Sequence, residues 1–486
     1  MNGSARSSAK LIVQDFLPNR LSRTPVPQHT CVSVEGDGEH ETFPDIIDKA
    51  NSWLKDHPNF FIQSCETVDF KLQDGEPRTV ESTFRARGER PNCYMRGLRL
   101  WLKETCLAED SQARGQAKPE QIGYFNVLPK WKTADLDLEE MTDMQSERLS
   151  EVVTRLNGML RVRPLNGSIF AVHTFSIKFT KAGPLPDRAV WKDRGYAKQF
   201  FLIGLRVFFV HSSNSRPKSN PQHVTFSDHL PKTLHSENPY VRHPKVESFP
   251  AVLQCASSEL SHLPPHTRLL NLQTLHLRQD FLQPIDSDRS HFCEDNIHSY
   301  HLKFLRLWYI SDRNHSADQL PKLSLQRPLP ALHCQLFCPI LYRKPGLFSN
   351  GRFESQPQLQ SRLLNWIDGS GVKVAGVETL IMRLFSGAEN FEGFGTMHTW
   401  NRVIHHSNAA HSHRHNFLHG RTHHRHGVRH CESSAAAETF VTVSRVYYFG
   451  HSDPDFELSL VESGVKADSL EEFMLARSRS SCCILV

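Results

Sequence analysis

Four arginines recur in one local setting: "GLRLW" around Arg99, "GLRVF" around Arg206, "FLRLW" around Arg306 and "VSRVY" around Arg445, each with an aromatic ring two residues on. Strand alternation sets each arginine and its ring on one face, with Leu98, Leu100 and Leu102 on the other in the first case. A guanidinium beside a π-face suits phosphate-bearing ligands such as lipid headgroups or nucleotides. The same pair also suits a seal between neighbouring units, with the cation on a carboxylate and stacked on the ring. What every unit carries is most simply what every unit needs, so sealing is the expected role. Lys71, Lys178, Arg278 and Arg383, on a second strand, are expected to share the arginine face and complete the set of anion-binding candidates.

Carboxylates and imidazoles offer less. Glu66 and Glu378 stand at equivalent positions, filled by His173 and Gln273 in the other two units. Paired carboxylates can do acid–base work. Alternation counted along the strand places them with the aliphatic residues, which points to hydrogen bonding near a strand start. No nucleophile elbow, phosphate loop, H-E-x-x-H or dinucleotide fingerprint is present. "HCQLFC" (333–338) lacks a second ligand cluster and is expected to be linker packing.

Between residues 403 and 434 lies a histidine-rich insert. His405, His406, His411, His413, His415, His423, His424 and His426 offer neutral imidazoles that suit Zn²⁺, Ni²⁺ or Cu²⁺. Few apolar residues are there to impose a fixed geometry, so weak binding by an open loop is expected, and no other cofactor is indicated. The chain closes on "SCCILV": Cys483-Ile-Leu-Val has the form of a prenylation box, Cys482 could take a second lipid, and Arg477 and Arg479 add charge toward anionic lipids.

These residues sit on repeated elements. The arginines lie 107, 100 and 139 residues apart, the last spacing stretched by the insert. Upstream of each lies a second strand, "ETVDFKL", "HTFSIKF", "QTLHLRQ" and "ETLIMRL", with threonine at the second position in all four. Further upstream, "FPDIIDKANSWL", "LSEVVTRLNGML", "FPAVLQCASSEL" and "QPQLQSRLLNWI" carry apolar residues at i, i+3, i+4 and i+7, the stripe of an amphipathic helix. Helices are expected to start near 42, 147, 248 and 356. The loop between the paired strands holds "FRARG" (84–88), "WKDRG" (191–195) and "FCEDN" (292–296). One helix on two strands cannot bury both faces of its sheet, so units must join.

The expected fold is α+β: four tandem αββ repeats of about 105 residues in an arc or closed ring of antiparallel sheets with helices on one face. Their spans are 12–122, 123–223, 224–331 and 332–452, followed by a tail at 453–486. With 486 residues a core of adequate size is available, and a net charge of +5 is too mild to argue for nucleic acid. No signal peptide or membrane-length apolar run is seen, and the 11 cysteines are scattered. Cys65, Cys93 and Cys255 are expected to be buried thiols. These features describe a cytoplasmic, non-enzymatic scaffold or binding protein, held at the cytoplasmic face of a membrane by its C-terminal lipid. The alternatives are an anion-binding protein using the arginine faces, and an enzyme with a motif-less site at a repeat interface.

Overall fold

The computed structural model describes residues 10–21, 40–73, 75–87, 92–104, 119–130, 146–180, 183–193, 199–211, 221–234, 245–264, 266–280, 285–294, 299–312, 330–343, 352–384, 396–399 and 437–450. The histidine-rich insert, the tail and the ends of the three loop motifs (Gly88, Gly195, Asn296) lie outside them. The described residues form four small, mostly antiparallel sheets arranged like a four-blade propeller, with four helices.

Each sheet is built on a long middle strand that bears the arginine: Asn92–Glu104, Gln199–His211, Ser299–Asp312 and Ala437–Phe449. Along one edge runs an inner strand, Phe60–Gln73, Gly167–Thr180, Thr267–Asp280 or Lys373–Leu384, antiparallel to it. Every inner strand bulges three residues before the Glu66/His173/Gln273/Glu378 position, where the register shifts. Such a bulge adds local twist and re-aims the side chains that follow.

The other edge of each middle strand is shared. Its C-terminal half pairs with a first strand that precedes the helix of the same unit: Leu11–Phe16, Ile122–Val127, Gln222–His229 and Leu332–Phe337. "HCQLFC" falls in the last of these. Its N-terminal half pairs with an arm from another unit. Arm Val190–Asp193 of unit 2 joins the middle strand of unit 1, His291–Glu294 joins unit 2, and Met397–Thr399 joins unit 3. Arm Thr83–Arg87 of unit 1 joins the middle strand of unit 4, which closes the ring. The motifs expected as loops are therefore strands, because the neighbour's open edge supplies ladder partners that their own hairpin does not. Before each arm strand, the carbonyls of Ser82, Ala189, Ser290 and Thr396 accept from Thr442, Arg96, Ile203 and Lys303 of the sheet that the arm joins, at 2.6–2.7 Å.

The helices α1 (Phe43–Asp56), α2 (Leu149–Val162), α3 (Phe249–Leu260) and α4 (Gln356–Ser370) start within two residues of the expected positions. Proline lies in the first turn of α1, α3 and α4, where a missing N–H costs nothing, and Gly371 at φ 63° ends α4. They do not lie on one face of a continuous sheet. Helix α1 packs on Leu98, Leu100 and Leu102 of its own sheet and on Ile122 and Phe208 of the next, and the other cores repeat this, down to Trp101 buried in the core of α4. A helix thus fills the gap between two blades, and each core belongs to two units. Cys65 is buried and Cys93 half-buried, but Cys255 is exposed, off the stripe Phe249, Val252, Leu253, Ala256 and Leu260 that α3 turns inward. No described helix is long and apolar enough to cross a membrane.

Candidate functional site

The four middle-strand arginines are at most 2% exposed. Arg99 donates through Nε and Nη2 to both Asp15 oxygens at 2.7 Å, and through Nη1 to Thr379 Oγ1 of unit 4 at 2.7 Å. Arg306 repeats this with Asp228 at 2.6 Å and Thr174 of unit 2 at 3.2 Å. The carboxylate comes from the first strand, directly across from the arginine.

Units 2 and 4 vary the scheme. Asn126 replaces the carboxylate opposite Arg206, Asp187 is 4.0 Å away, and the guanidinium lies 3.6 Å from the centre of the Phe43 ring at the start of α1. Burial, with Arg96 nearby, lowers the Arg206 pKa to about 9. Leu336 stands opposite Arg445, which instead donates to Thr274 Oγ1 at 2.8 Å and lies 3.7 Å from the Phe249 ring centre. Each arginine reaches another unit of the ring. In three of the four it meets the threonine that the inner-strand motif repeats.

A second set of contacts runs one layer further in, where the inner strands surround the axis. Glu66 accepts from Thr379 N, and Glu378 accepts from Thr274 N. Gln273 exchanges two bonds with the Thr174 backbone, accepting at 2.8 Å and donating at 2.6 Å. His173 Nδ1 is 3.4 Å from Thr67 Oγ1. Three residue types at one repeated position thus act alike, each tying its inner strand to the preceding one.

Glu66 pairs directly across from Arg99, so it shares the arginine face rather than the aliphatic one. The bulge between the strand start and Glu66 shifts the alternation by one residue. Glu66 also accepts from Trp101 Nε1 at 2.6 Å. Burial raises its pKa to about 7 against the pull of Arg99, and burial raises Glu378 too. Burial, then Arg206, lowers the His173 imidazole to about 3. Cys65 Sγ lies 4.0 Å from His173 Nε2, but burial pushes this thiol well up. Thiol and imidazole both stay neutral near pH 7, so the pair holds no activated thiolate.

Within the inner strands lies a cavity of about 840 Å³, lined from all four units and including Glu66, His173, Gln273 and Glu378. Its unit 2 end carries Lys178, Arg188, Trp191 and Lys192, with Arg96 and Asp69 of unit 1. Arg96 holds Asp69 through Nε and Nη2 at 3.0 and 3.3 Å. Lys178 donates to Lys192 O at 2.6 Å.

Of the second-strand candidates, only Lys178 lines this cavity. Lys71 pairs in register with Tyr94, five residues from Arg99 and so on the opposite face; it donates to Asn92 Oδ1 and lies 4.9 Å from the Tyr94 ring centre. Arg278 is buried, across from His301, and Arg383 is in register with Phe440. The basic residues therefore do not gather on one concave arginine face. His411, His413, His415, His423, His424, His426, Cys482 and Cys483 lie outside the described residues. Among the described residues no cluster of His, Cys, Asp or Glu could hold a metal.

One further repeated residue is not singled out by the motifs above. Glu41, Glu147, Glu247 and Glu354 each stand two residues before a helix and accept from the backbone N of Asn19, Lys130, Lys232 and Ile340 after the end of the first strand. Three also hold a cation on the helix, Lys49, Arg155 or Arg362. The signal was available, since glutamate precedes "TFP", "RLS", "SFP" and "SQP" alike. Comparison of the chain with protein-family models, with curated proteins and with solved structures gives no match.

Proposed function

We propose that this chain is a non-catalytic binding scaffold: four tandem repeats, each with an αββ kernel, closed into a ring around an axial ligand cavity. One observation carries the reading. The repeated arginines and the repeated Glu/His/Gln positions direct hydrogen bonds across unit boundaries, while the strands that they join enclose a space of about 840 Å³. That volume is typical of ligand pockets, which lie between a few hundred and about 1,000 Å³. The titratable groups on its wall support binding rather than turnover. The thiol and imidazole stay neutral, and both glutamates are committed to neighbouring backbone N–H groups.

The C-terminal box would set this ring at a cytoplasmic membrane face. A single lipid gives marginal attachment, so Cys482 and the nearby arginines would supply the second signal. The wild-type protein is expected to sediment with membranes of eukaryotic cells, and Cys483→Ser to move to the soluble fraction. An intact mass without added lipid would remove the anchor from the proposal. A soak of the protein with a small-molecule library, read by mass spectrometry under native conditions, tests the cavity. Failure of every compound to remain bound in it would leave a sealed ring with no ligand role.

A further inference from the structure

We infer that the folded ring makes its own contact with an anionic membrane surface through the last turn of α2, where Met159 and Val162 enter the lipid interface and Arg161 and Arg163 meet the headgroups. This rests on the membrane-anchored half of the reading above and adds an attachment point within the ring. Exposure is the first argument. Val162 is 77% exposed and Met159 46%. Three residues apart, they lie side by side on the helix surface, whereas the corresponding turns of the other helices, "WLKDHP", "ELSHLP" and "WIDGSG", show no exposed large apolar side chain. Arg161 and Arg163 flank Val162 and are exposed, and neither side chain makes a hydrogen bond or ion pair with a described residue. Two apolar side chains are far less than the surface that a stable protein partner needs, but a lipid interface rewards each apolar group and each cation separately.

Position is the second argument. Helices α1, α2 and α4 begin on the side of the ring that carries the arms: Phe43 N, Leu149 N and Gln356 N donate at 2.8–2.9 Å to Asp187 O, Asp288 O and Val80 O, each just before an arm strand. They end on the opposite side. Val162 stands shortly before Gly167, which pairs with His211 at the C-terminal end of the unit 2 middle strand. The unit 4 middle strand ends on that side too, since Gly450 follows Arg445 at the same interval as His211 follows Arg206, and Phe449 pairs with Lys373 at the start of its inner strand. From Gly450 the chain continues to Cys482 and Cys483. The exposed turn and the point where the tail departs thus share one side of the ring, so a single membrane surface can engage both.

Co-sedimentation of the full-length protein with vesicles tests this, using protein made in bacteria with unmodified C-terminal cysteines so that the contact is read without the lipid. Vesicles of phosphatidylcholine and phosphatidylserine in equal parts are compared with phosphatidylcholine alone. The wild type is expected to pellet with the mixed vesicles, to stay in solution with the neutral ones, and to lose most of its binding as salt rises. Arg161→Gln with Arg163→Gln, and separately Met159→Gln with Val162→Gln, should each weaken the partition by about tenfold or more. These side chains are exposed, so the unfolding temperature should not change, and Val80→Gln, at an exposed apolar residue on the arm side, should bind as the wild type does. Variants that bind like the wild type, or equal binding to both kinds of vesicle, would overturn the contact. No binding by the unmodified protein would overturn it as well, while the anchor would stand or fall on the intact mass from eukaryotic cells. Dimerisation of the wild type that the variants abolish, without vesicle binding, would assign the patch to a second copy of this chain instead.

Discussion

At the scale of single residues, the buried arginines are the most consequential groups. Arg306 spends its donors on Asp228, Thr174 and the Ser287 carbonyl. Removing one partner of such a buried pair leaves an uncompensated charge, at a cost of about 3–5 kcal/mol. Arg306→Ala should therefore lower the urea midpoint far more than Thr174→Val, which removes one bond worth about 1 kcal/mol. Equal effects would mean that the guanidinium does not bridge the units. The axial ring adds a pH dependence of two opposed parts. Glu66 has a folded pKa near 7, raised from 4.5, so its contribution is full below pH 4.5 and is lost as pH rises toward 7. His173 falls from 6.5 to about 3, so its contribution is full above pH 6.5 and is lost as pH falls toward 3. Gln273 makes the equivalent bonds uncharged, which makes glutamine the natural replacement at both sites. Glu66→Gln should gain stability over wild type as pH rises from 4.5 to 7, by on the order of 3 kcal/mol. His173→Gln should gain as pH falls below 6.5. Parallel stability–pH curves for wild type and variants would refute the shifts.

At the scale of elements, the arms decide whether the blades hold together. An aromatic pair marks three of the four arm contacts: Phe84 stacks on Phe440 at 5.3 Å, Trp191 on Tyr94 at 4.7 Å and Phe292 on Phe201 at 5.0 Å. Phe84 is distinctive because its arm joins the two ends of the ring. Phe84→Ala gives up the ring–ring term of about 0.5–1.5 kcal/mol together with part of the burial of a half-buried side chain. It is expected to speed proteolytic cutting in the loops of unit 4 more than Phe292→Ala does, since opening this seam frees a chain end while opening the other does not. Unchanged cutting would show that the seam between α4 and the first strand of unit 1, where Leu364, Leu11 and Val13 pack against the same buried cluster, closes the ring unaided.

At the scale of the whole molecule, each helix core draws on two blades, so stability is distributed around the ring and no unit is self-sufficient. The insert at 403–434 lies outside the described residues. Units 1 to 3 join inner to middle strand without such a segment, and a longer connection costs only a fraction of a kcal/mol per doubling of its length. Deletion of residues 403–434 should leave the unfolding midpoint within the error of wild type, measured by thermal denaturation. Loss of soluble folded protein would show that the insert contributes to unit 4.

The four helices, the paired strands and the recurrence of arginine, ring and threonine are legible in the order of residues alone, because periodicity and spacing are local and survive repetition. So is the repeated glutamate ahead of each helix, which alignment of the units makes visible. What those residues touch is set by tertiary packing. The threonine reads as an ordinary strand residue until the guanidinium of another unit meets it, as Arg99 meets Thr379 across 280 positions of chain. The bulge in each inner strand reverses the face on which Glu66 is expected, since one unpaired residue shifts all later alternation. The arms read as loops because their hydrogen-bonding partners lie on a different sheet. The cavity leaves no motif at all, because its wall takes residues from four separated strands that become neighbours only when the ring closes.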